Sequence, residues 1–130
     1  MRILSTILVA AAMAATLPAQ QPADFAKWWP QFQAAVAKKD AKAVAGMTHF
    51  PTQWELGKIR RVESGAVVIA KFDAYFPEHL RKAVATKTPE KFSDGSYSIT
   101  WQDHGDEYSL YFHENGKGGF QLDGLSEGPA

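Results

Sequence analysis

The chain has 130 residues, 45% of them hydrophobic and 22% charged, with 14 basic against 14 acidic side chains, four Trp, eight Phe, four Tyr and no cysteine. That even charge excludes nucleic acid as a partner and strong attachment to anionic lipid, because both need a basic surface. The missing cysteine excludes disulfides and a lipid on an N-terminal Cys, so the fold must rest on apolar burial and backbone hydrogen bonds.

Met1-Arg2, the mostly apolar run Ile3 to Leu17 and the small-residue exit at Pro18-Ala19 read as the charged, apolar and cleavage regions of an export signal. Cleavage is expected after Ala19, with Ala14 as the alternative. The apolar stretch falls short of the roughly 20 residues that cross a bilayer, so no stable membrane anchor is expected. Signal 1–19 and a single domain over 20–130 follow, the product being periplasmic or secreted.

Phe25, Trp28, Trp29, Phe32 and Val36 recur three to four apart, with Lys27, Gln31, Gln33, Lys38 and Lys39 on the other faces, which predicts an amphipathic helix. Asp24 is its expected N-cap, and Pro30 must sit in the first turn or kink the helix. Asp40 predicts a second cap, opening a short helix that stops near Gly46. Gln53 to Leu56 and Ile59 to Val62 then flank Gly57-Lys58, as two strands flank a turn. Ser64 is the expected cap of a helix over 66–76. A further short helix from Pro77 to about Ala85 carries Leu80 and Val84 inward.

In the last third, Tyr97, Ile99 and Trp101 alternate with Ser96, Ser98, Thr100 and Gln102. Tyr108, Leu110 and Phe112 alternate with Ser109, Tyr111 and His113. Asp103 to Asp106 and Asn115 to Gly118 read as turns, and a final strand begins at Gly119. The outcome is a three-stranded antiparallel meander followed by a loose tail over 126–130. Helix, helix, hairpin, helix pair and meander in that order predict an α+β domain with N-terminal helices packed on a curved antiparallel sheet.

The run Phe25 to Asp40, the Phe50-Pro51 junction, the hairpin ending in Val62-Glu63-Ser64, the set Phe72, Tyr75 and Phe76, and the closing Gly119-Phe120-Gln121-Leu122 together resemble small exported bacterial proteins of the NTF2-like, cystatin-like superfamily. The resemblance covers roughly Asp24 to Leu125 and implies a cone in which a curved sheet closes over helices to leave a pocket. Members include isomerases, dehydratases and carriers, so fold alone leaves function open.

Two functional classes compete. The first is a noncatalytic binding or accessory domain, in which the aromatic pair Trp28 and Trp29 meets a small apolar ligand or an envelope protein. Trp101 is a further aromatic of this kind. The second is a cofactor-independent lyase or isomerase of the ketosteroid-isomerase-like kind, in which a carboxylate or His beside a Tyr hydroxyl moves a proton next to a carbonyl. Its candidates are Asp73, His79, Tyr97, Tyr108 and His113. No single residue demands catalysis, and the first reading is preferred. No cofactor or metal is expected: His104, His113, Asp103 and Asp106 have poor ligand spacing for zinc.

Overall fold

Residues 23–130 are described by the computed structural model, so the expected export signal and its cleavage site lie outside the described residues. Helix α1 (Phe25–Ala37) buries Phe25, Trp29, Phe32, Ala35 and Val36 along one stripe, as the spacing predicts. Asp24 starts it through its backbone carbonyl, which accepts from the N–H groups of Lys27 and Trp28, while its side chain makes no capping bond. Pro30 lies beyond the first turn with its ring exposed. The bond it forgoes is to the carbonyl of Ala26, a residue that is also exposed. Lys39 turns the chain at a φ of 54°, and the Asp40 N–H donates to the Ala35 carbonyl at 2.9 Å. Helix α2 (Ala41–Gly46) then starts on Asp40, whose carboxylate accepts from the Ala43 N–H at 3.2 Å.

Six strands form one sheet: β1 (Thr48–Leu56), β2 (Ile59–Val62), β3 (Glu90–Lys91), β4 (Tyr97–Asp103), β5 (Asp106–Glu114) and β6 (Phe120–Pro129), in the order β2-β1-β6-β5-β4-β3. The expected hairpin and meander are both present. The sheet is mixed rather than wholly antiparallel, because the first and last strands meet side by side and run parallel. The tail expected to be loose is the end of β6: Glu127 pairs with Tyr108, Gly128 with Glu107 and Pro129 with Asp106. It needs no apolar side chains for this, since backbone bonds hold it, and the Glu127 N–H also donates to the Glu55 carboxylate at 3.0 Å.

Between β2 and β3 lie α3 (Gly65–Ala70), α4 (Phe72–Tyr75) and α5 (Glu78–Thr86). The single helix expected over 66–76 is broken at Lys71, whose φ of −133° and ψ of 48° are not helical, and Ser64 makes no side-chain cap. Val68 and Phe72 are both buried, and Phe72 stacks on Phe76 at 4.8 Å. Pro77 precedes α5, which buries Leu80, Ala83 and Val84. The core joins Phe32, Trp54, Phe76, Leu80, Leu110, Phe112 and Leu122, all at most 1% exposed. The other side of the sheet carries Thr100, Gln102, Tyr111 and His113 in solvent. Ser98, expected on that wet side, is buried instead, because Tyr111 and Glu90 flank it on the neighbouring strands.

Candidate functional site: an aromatic cleft beside α1

Asp24, Lys27, Trp28 and Gln31 stand three to four residues apart and so share one face of α1. That face forms one wall of an open cleft of about 660 Å³, and Tyr97 with Gly118 and Gly119 forms the other. Phe25 makes part of the floor, its ring stacked on Tyr97 at 3.8 Å with an interplanar angle of 6°. The facing turn is stiffened locally: Asn115 Oδ1 accepts from the N–H groups of Lys117 at 2.7 Å and Gly119 at 3.1 Å. Gly118 has a φ of 83°, which an L side chain rarely adopts, and so the turn remains low beside the cleft.

The two sequence-predicted Trp residues part company here. Trp28 is half-buried, stacked on Phe32 at 5.1 Å, and lines the cleft. Trp29 is 8% exposed and belongs to the core, against Phe112 at 5.2 Å, so of the pair it is the one that packs inward. The 100° step between adjacent helical positions separates them. Tyr97, predicted among the acid-base candidates and as a core residue, is instead a half-buried wall of the same cleft.

No family model, no curated protein and no solved structure matches the chain.

The acid-base candidates do not converge. Asp73 is 72% exposed and pairs with Lys39 at 3.1 Å and Arg81 at 3.6 Å, on the surface. His79 does meet a Tyr ring, with Tyr108 at 4.8 Å, but its Nδ1 accepts the Trp101 indole N–H at 3.0 Å. An indole only donates, so neutral His79 must carry its proton on Nε2, which faces Asp103 at 4.0 Å. Neither nitrogen then offers a free lone pair to a substrate. Tyr108 is buried and its hydroxyl donates to Glu127 at 3.4 Å; burial first, and the Glu127 charge next, push its pKa up and keep it protonated. This group is a set of satisfied contacts closing the end of the core.

The gap enclosed by Thr52, Trp54, Val62, Val68 and Phe76 has no room for a water molecule. Sequence reasoning had no means to see this, because pocket and filled core share the same apolar pattern.

His104 and His113 lie at opposite ends of β5 and cannot share a ligand. His104 sits in the β4–β5 turn, bonded to Asp103 at 2.9 Å; this bond lowers the Asp103 pKa and raises that of His104. His113 lies on the solvent side of the sheet with Asp123 at 2.9 Å, and His49 approaches the same carboxylate at 3.7 Å. Reading the sequence missed His49 and Asp123, which only the β1–β6 pairing brings together. Among the described residues no three His, Cys, Asp or Glu side chains are arranged to hold a metal ion.

Proposed function

We propose that this chain is an exported, noncatalytic binding or accessory domain of the NTF2-like, cystatin-like kind, which engages a small ligand with an apolar face, or an envelope protein, through the cleft beside α1. One observation carries the reading: Trp28, an aromatic side chain with area still to bury, lines an open cleft, whereas the gap among Trp54, Val68 and Phe76 inside has no room for a water molecule. Partly exposed Trp is the side chain most enriched where binding free energy concentrates. Helices beside a six-stranded sheet are compatible with the α+β class to which that superfamily belongs. The lyase or isomerase alternative has less behind it, since the His79 lone pair on Nδ1 is taken by the Trp101 indole N–H and the acid-base candidates stand apart.

The test is capture from an envelope extract by immobilised protein, comparing Trp28→Ala with His79→Gln, His113→Gln and Asp73→Asn. The expected result is a partner or ligand retained by the last three and lost by Trp28→Ala, with circular dichroism verifying that each variant is folded. Turnover of a carbonyl-containing compound by the wild type, abolished by one of the Asp or His changes, would overturn the reading.

A further inference from the structure

We propose, resting on the binding reading above, that the cleft beside α1 takes a neutral sugar: a pyranose whose C–H face lies on Trp28 and Tyr97 and whose hydroxyls meet Asp24, Lys27 and Gln31. The cleft is open on one side, so it leaves much of any occupant in water. A wholly apolar ligand gains little there, since such ligands need most of their surface covered. Its floor is aromatic and its rim is polar, with the exposed side chains of Asp24, Lys27 and Gln31 in a row along α1.

Among the described lining residues one carboxylate stands against one ammonium, and with Gln31 they offer donors and acceptors for hydroxyl groups. A peptide that binds by adding a strand is a poorer match. It would need a free strand edge, and the facing turn spends its backbone groups internally, the Lys117 and Gly119 N–H on Asn115 Oδ1 and the Asn115 N–H on the Gly119 carbonyl at 2.9 Å. A volume of about 660 Å³ lies within the usual range of small-ligand sites. A sugar is the chemical class that joins an apolar face to a rim of neutral hydroxyls.

The experiment titrates the purified protein with neutral gluco-, galacto-, manno- and N-acetylglucosamine oligosaccharides, following indole N–H resonances by NMR. A parallel arm sediments the protein with the insoluble polymers of the same units, separating a free sugar from a polymeric source. The expected result is saturable binding in one arm or both, weakened at least about tenfold by Trp28→Ala, the size of a hot-spot loss. The surface variants Lys27→Ala and Gln31→Ala, which leave the core untouched, should weaken it by smaller factors. No binding in either arm overturns the proposal, as does sugar binding that all three variants leave unchanged. The envelope capture still stands in the first case if Trp28→Ala loses a protein or lipid partner, so failure of the sugar assignment is told apart from failure of the binding reading.

Discussion

Truncating Phe112 to Ala should be among the most damaging single changes in the domain. Its side chain is fully buried on β5 and meets four rings of α1: Trp29 at 5.2 Å, Phe32 at 5.6 Å, Trp28 at 5.8 Å and Phe25 at 5.9 Å. Deleting a buried Phe costs about 3–5 kcal/mol, and loss of edge-on aromatic contacts places this site near the upper end, about 4–5 kcal/mol. The four rings stand on one helix held by its own hydrogen bonds, so the wall cannot collapse into the gap. For a domain of this size the melting temperature should fall by an amount on the order of 20 °C. Differential scanning calorimetry measures it. The neighbouring Tyr111→Ala, on the wet side of the same strand, is the control and should cost under about 1 kcal/mol. A Phe112→Ala transition no lower than that of Tyr111→Ala would refute the assigned face of β5 and the packing of α1 upon it.

Ending the chain after Leu125 removes the last β5–β6 pairs and the Glu127 N–H that chiefly lowers the Glu55 pKa; calorimetry should show a lower melting temperature and an NMR titration a Glu55 pKa returned towards its ordinary value. Asp103 and His104 stabilise each other's charged forms. The Asp103 contribution is present above the ordinary Asp pKa and lost as pH falls through its lowered one. The His104 contribution is present below the ordinary His pKa and lost as pH rises through its raised one, so the pair acts most fully between roughly pH 4 and 6.5. His104→Asn should bring the Asp103 titration back up, read by carboxyl NMR. Tyr108, with its raised pKa, should resist ionisation beyond the ordinary tyrosine range in ultraviolet titration. Its contribution is present below about pH 10 and lost as pH rises through the raised value.

Local signals in the chain were read well and distant ones were not. The spacing of Phe25, Trp29, Phe32 and Val36 marks α1, Asp40 marks the start of α2, and the alternation around Ile99 and Leu110 marks the meander, because each is a property of one short segment. The parallel meeting of β1 with β6 joins segments some seventy residues apart, as in the Thr52 hydroxyl donating to the Asp123 carbonyl at 2.7 Å, and no local pattern announces it. Ser126 to Pro129 reads as a tail because its side chains are small or polar, yet a strand lying between two others is held by its backbone. The break at Lys71 has no local signal, since no glycine or proline lies between 66 and 76 to mark it. At the cleft, helical spacing says that Trp28 and Trp29 part, but which of them faces outward depends on what packs against α1. Tyr97 was read as core because alternation says which side of a sheet a residue takes, not whether a helix covers it there.

Two indole N–H groups report separately on the two rival sites: Trp28 in the cleft, and Trp101 bonded to His79 beside Tyr108. The decisive measurement is a ¹⁵N NMR titration of the protein with the ligand or partner captured from the envelope, with the indole signals assigned by substitution. The binding account predicts that the Trp28 resonance moves and saturates while that of Trp101 stays in place. Movement of Trp101 with Trp28 unchanged would contradict it and put the chemistry at His79.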